Sequence, residues 1–184
     1  SSSSSSTAVA TSSPSPRGVV WLCTKDANKR QKTDGDQELY QQQLQVNEDK
    51  LRWQAFVVAE KTNAIIFEAP FSETLDAIHV LNQEAERNNQ APIEFLHFIG
   101  HCGSDSFSSS LGNDLIYNDS FCQLISSLNL SIVSLNACST SVIAEQLVKV
   151  GGVAFAWGWE TPCHIEAAAS VGIEFYTDWG RAQE

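Results

Sequence analysis

Two side chains in this sequence have types and settings that suit nucleophilic chemistry: His101 and Cys138. Each closes an apolar run, Leu96-His97-Phe98-Ile99-Gly100 before the histidine and Ile132-Val133-Ser134-Leu135-Asn136-Ala137 before the cysteine. Short apolar runs bounded by small residues read as buried strands. In open α/β sheets, ligands and chemistry collect outside the carboxyl ends of such strands. A histidine and a cysteine delivered to the same edge are a candidate catalytic dyad, with the thiolate as nucleophile and the imidazole as general acid and base. After Cys138 come Ser139, Thr140 and Ser141, then Val142, Ile143, Ala144, Leu147 and Val148 at helical spacing as far as Gly151-Gly152. That pattern predicts Cys138 at or just before a helix N-terminus. There the partial positive charge lowers a thiol pKa, and free N–H groups can cradle an oxyanion. The chemistry such a pair supports is a covalent acyl-enzyme route to peptide hydrolysis.

The elements that must position the pair alternate along the chain. Residues Ser1 to Pro16 are nearly all Ser, Thr, Ala and Pro and are expected to form a disordered tail or a linker from a longer protein, followed by one domain over 17–184. Gly18 to Cys23 reads as a short buried strand, and Lys25 to Asp36 as a polar loop. From Gln37 to Ala59, Leu39, Leu44, Leu51, Phe56 and Val57 recur at helical intervals, predicting an amphipathic helix with a break near Asn47, or else a separate strand over 55–59. Ala64 to Pro70 is a strand closed by proline. Ser72 is expected to cap a helix carrying Leu75, Ile78, Leu81 and Ala85, which ends at Asn88-Asn89. After the histidine strand, 104–110 reads as a polar loop and 111–117 as a small edge strand or hairpin. Asn118 or Asp119 caps a helix with Phe121, Leu124, Ile125 and Leu128. Val153 to Trp157 is expected to be another buried strand, and Ile165 to Trp179 a last helix with Ala168, Val171, Phe175 and Trp179 inward. Strand and helix alternating in this way predict an α/β fold, a mostly parallel central sheet with helices on both faces.

Bulk properties exclude several classes. A chain of 184 residues with 42% hydrophobic content can bury one sizeable core but not two comfortable ones. With 11 Lys+Arg against 22 Asp+Glu, the net charge of -11 repels phosphate backbones and anionic membranes, so neither nucleic acid nor membrane is an expected partner. No apolar run approaches the ~20 residues of a membrane span, and the default compartment is cytoplasmic. Five widely spaced cysteines argue for a reducing environment rather than a disulfide framework. No ligand spacing suggests a metal, and no cofactor is required.

The order His then Cys, each at the end of an apolar strand, with Asn136-Ala137-Cys138 followed by a small hydroxyl residue, resembles the caspase-like cysteine peptidases and most closely the CHAT domains. The resemblance continues through Gly151 to Trp157 and then from Ala167 to Phe175-Tyr176. It implies a caspase-like fold with His101 and Cys138 as the catalytic pair. Oxyanion donors would be the backbone N–H groups of Cys138 and of Cys102 or Gly103, with Cys102 standing between His101 and its glycine. The implied substrate is a protein or peptide, under control of a regulatory protein or fused repeat module. Trp159 would lie along the substrate cleft with Trp157, although burial statistics favour a core position for Trp157. Asp105 and Glu160 could suit a basic substrate residue. Two other readings are a silent caspase-like scaffold and an α/β enzyme whose thiol attacks a small acyl substrate.

Overall fold

The computed structural model describes residues 16–24, 35–102, 106–108 and 115–181. The expected tail up to Ser15, most of the polar loop after Thr24, and Gly103 and Asp105 lie outside the described residues. Five parallel strands make the central sheet: β1 (Gly18–Leu22), β2 (Ala64–Phe67), β3 (Phe95–Ile99), β7 (Ile132–Asn136) and β8 (Phe155–Gly158), in the spatial order β2-β1-β3-β7-β8. A second, antiparallel sheet joins β4 (His101–Cys102), β5 (Ser106–Ser108) and β6 (Leu115–Tyr117).

Helices cover both faces of the central sheet, and the strand alternation decides which residue meets which layer. Val19, Trp21, Leu96, Phe98, Val133 and Leu135 point to one side, where they pack with Phe71 and Ile78 of α2 (Phe71–Arg87), Phe121 and Ile125 of α3 (Asn118–Ser126), and Ile143 and Leu147 of α4 (Ser141–Lys149). Trp21 is fully buried there between Phe71 and Phe98, with ring centroids 4.9 and 4.6 Å away. Val20, Leu22, Phe95 and Ile99 point to the other side, against Leu51, Ala55 and Val58 of α1 (Gly35–Thr62) and Tyr176 of α5 (Ile165–Arg181). Each such fully buried side chain contributes about 1.5–3 kcal/mol. The expected α/β architecture is therefore present, with a wholly parallel central sheet.

Five local expectations are corrected. The helix after the first strand runs unbroken through Asn47 and through 55–59, because the buried Leu51, Ala55 and Val58 keep one continuous stripe on the sheet. Pro70 rather than Ser72 is the N-cap of α2; its carbonyl accepts from the Thr74 N–H (3.0 Å) and hydroxyl (3.1 Å), and proline suits a helix start because it lacks an N–H. The strand over 155–158 is an edge strand rather than a buried one, leaving Phe155 47% exposed. In α5, Val171 faces solvent at 41% exposure, because the face that meets the sheet is made of the smaller Ala168 and Gly172 together with Tyr176. The segment expected to be a polar loop over 104–110 contains β5.

Candidate functional site

Strands β3 and β7 are neighbours in register, with His97 opposite Ser134 and Ile99 opposite Asn136. His101 and Cys138 each lie four residues beyond the His97–Ser134 pair, so the same offset carries both to one end of the sheet. The chain bends at Gly100, where an added Cβ would come within 2.7 Å of the Cys23 carbonyl oxygen; only glycine fits this approach. His101 then opens the second sheet as the first residue of β4. Both side chains line one cleft of about 390 Å³, together with Asn47, Lys50, Asn136, Cys163, His164 and Glu166.

Cys138 sits in the turn between β7 and α4, just before the N-cap Thr140. The turn is held from inside. The buried Thr140 hydroxyl shares its one proton between the carbonyls of Leu135 (2.8 Å) and Ala137 (2.9 Å) and accepts from the Trp159 N–H (3.1 Å). Ser139 takes a positive φ of 55°, a strained conformation for a residue with a Cβ. The Ser139 and Ser141 N–H groups are spent on the carbonyls of Thr161 (3.4 Å) and Trp159 (3.0 Å). The Cys138 N–H donates to no such acceptor among the described residues, which leaves it available to an oxyanion.

The partner of His101 was not foreseen. Glu48 of α1, 1% exposed, accepts a hydrogen bond from Nε2 at 2.9 Å. A carboxylate only accepts, so Nε2 carries the proton and Nδ1 is left for proton transfer. The available signal was periodicity: Glu48 falls on the same helical stripe as Leu44, Leu51 and Ala55, where an apolar residue is expected. Cys163 was also not foreseen. It lines the cleft with Cys138, and burial together with the neighbouring Cys138 pushes its pKa up to about 12. Nothing local in the sequence signals this contact, since the two cysteines lie on different loops.

The remaining expected residues are spread out. The backbone of Cys102 pairs with Phe107 in the small sheet. The Trp159 indole N–H donates to the side-chain oxygen of Asn136 (2.8 Å), whose amide in turn donates to the Ala168 carbonyl (2.7 Å), so Trp159 braces the strand end below Cys138. Glu160 is exposed on the same loop, and neither it nor Trp159 is among the residues lining the cleft. Trp157 is half-buried against Phe175 (5.9 Å) and His97 (6.2 Å), on the packing side of the question.

A scan of protein-family models finds none that matches this chain, and a search of the curated proteins returns no significant match. Among the described residues no group of three or more His, Cys, Asp or Glu side chains is arranged to hold a metal ion, and no helix is long and apolar enough to cross a membrane.

Proposed function

We propose that this chain is a cysteine endopeptidase domain with a caspase-like fold, most similar to CHAT domains, in which Cys138 is the nucleophile and His101 the general acid and base. The observation that carries the reading is the convergence on one cleft of Cys138, its unspent N–H, and a histidine held by a buried carboxylate. The route needs no cofactor. The Cys138 thiolate attacks the peptide carbonyl, and the oxyanion forms against the Cys138 N–H, with Cys102 or Gly103 as the second donor. His101 gives a proton to the leaving amine and then takes one from the water that releases the acyl group. Glu48 acts through His101, holding the ring in one tautomer and stabilising it when charged.

A peptide is the substrate class that the surroundings suit. Beside the cleft is an apolar recess of about 280 Å³ lined by Trp53, Ile165, Ala169 and Ile173, which shares Lys50 and Glu166 with the cleft and could take a substrate side chain. Control by a partner protein or a fused repeat module, and a cytoplasmic setting, belong to the same proposal.

The test is selective alkylation at neutral pH with iodoacetamide or a peptidyl electrophile, followed by a peptide library. The expected result is labelling of Cys138 that His101→Ala abolishes, and cleavage with a preference at the residue before the cut. Indiscriminate labelling, or none, refutes the reading and favours a scaffold. Labelling without peptide cleavage favours a small-acyl enzyme.

A further inference from the structure

Cys23, Cys122, Cys138 and Cys163 form two classes. Cys23 and Cys122 are buried in the core, at 1% and 3% exposure, and are out of reach of solutes. Cys138 and Cys163 are partly exposed and line the same cleft. The loops that carry them run side by side, stitched by the Ser139–Thr161 and Ser141–Trp159 backbone hydrogen bonds. Two thiols that line one cleft from loops hydrogen-bonded side by side are placed for a disulfide in a way that thiols fixed in a core are not.

We propose that Cys138 and Cys163 form a peroxide-oxidised modification site, with Cys138 attacked first and Cys163 as its resolving thiol. In the first step the Cys138 thiolate attacks hydrogen peroxide. A sulfur–oxygen bond forms, the oxygen–oxygen bond breaks, and the departing hydroxide takes a proton to become water. In the second step the Cys163 sulfur attacks the Cys138 sulfenic acid. The disulfide bond forms, the sulfur–oxygen bond breaks, and the hydroxide leaves as water with the Cys163 proton. In sum, two thiols lose two electrons, one peroxide gains them, and two waters are released.

The division of labour follows from the contact. Burial and the neighbouring Cys138 push the Cys163 pKa up to about 12, so Cys163 waits as a thiol, and the thiolate is the form that reacts with peroxide. Conversion of Cys138 to a sulfenic acid removes one of the causes that raise the Cys163 pKa, so Cys163 then ionises more readily. The resulting bridge blocks the cleft reversibly and keeps Cys138 from the irreversible sulfinic and sulfonic states. The proposal adds regulation to the peptidase reading but does not depend on peptide cleavage, because its readout is covalent mass.

The test is treatment of the reduced chain with near-stoichiometric hydrogen peroxide, then peptide mass mapping without reductant. The expected product is one cross-linked peptide pair containing Cys138 and Cys163, two hydrogens lighter than the thiols and returned to them by dithiothreitol. In Cys163→Ser, Cys138 should instead accumulate as sulfinic and sulfonic acid that dithiothreitol does not reverse. Sulfinic Cys138 in the wild-type chain without the bridge, or a bridge from Cys138 to Cys102, overturns the proposal. So does a Cys163→Ser chain whose Cys138 oxidation remains fully reversible. The wild-type map decides the matter even if the variant folds poorly, and a bridge formed in a chain that cleaves no peptide would sink the peptidase reading alone.

Discussion

The same two strands present two polar pairs, four residues apart, that the fold treats in opposite ways. His97 and Ser134 lie in register inside the layer between the sheet and helices α1 and α5. The His97 Nδ1 is 2.5 Å from the Ser134 hydroxyl, which meets the fully buried Tyr176 hydroxyl. His101 and Cys138, one step past the strand ends, line an open cleft. Burial drives the His97 pKa down to about 3, and burial raises that of Tyr176. His101 has a buried carboxylate on one nitrogen and a side chain 32% exposed. Position relative to the sheet edge separates a structural histidine from one available for proton transfer; residue type does not.

The comparison breaks most visibly if the nucleophile is removed. Cys138→Ala should lower peptide cleavage by at least roughly 1000-fold, while Ser134→Ala should leave steady-state alkylation of Cys138 intact and lower stability instead. Glu48→Gln tests the carboxylate beneath His101. General acid–base catalysis contributes about 100- to 10,000-fold, so losing the orienting charge should lower kcat by roughly 10- to 100-fold with KM little changed, and should shift the acid limb of the pH profile.

The burial of His97 gives a thermodynamic signature of its own. Its folded pKa lies below its unfolded one, so between about pH 6.5 and 3 the unfolded chain binds a proton that the folded chain refuses. This contribution leaves stability intact above pH 6.5 and erodes it by about 1.4 kcal/mol per pH unit below that. Urea midpoints across this range should therefore flatten in His97→Gln relative to wild type.

Smaller effects sharpen the boundary between the two regions. At Gly172 of α5, a Cβ would lie 2.8 Å from the Gln54 amide nitrogen, 2.9 Å from that of Asn136 and 3.4 Å from the His97 Nε2. Gly172→Ala should cost about 1–3 kcal/mol in denaturant unfolding, as overpacking does. Because Asn136 also holds Trp159, the same variant should slow Cys138 alkylation measurably. Tyr176→Phe, which removes one hydroxyl from the buried knot, should cost about 1 kcal/mol and leave alkylation unchanged.

How far these regions could be foreseen depends on the range of the interaction involved. Strands β1, β3 and β7 and helices α2 and α4 were legible because alternation and helical stripes are local patterns of apolar residues. The continuity of α1 was obscured because its buried face includes Glu48 and Gln54, polar residues that a hydropathy pattern assigns to solvent. The side of α5 that meets the sheet was misjudged at Val171 because close approach selects Ala168 and Gly172, and small residues carry little hydropathy signal.

Read alone, the chain establishes an alternating α/β order, a histidine and a cysteine at the ends of two apolar strands, and a turn into a helix behind the cysteine. Those follow from periodicity and turn chemistry, which act over a few residues. Tertiary structure alone decided that the two strands are neighbours in matching register, that Glu48 stands behind His101, and that Cys163 meets Cys138. Each of these depends on which surfaces pack together, and a parallel sheet joins strands only after a long crossover has closed. The sequence marks the ends of those crossovers; packing determines what meets there.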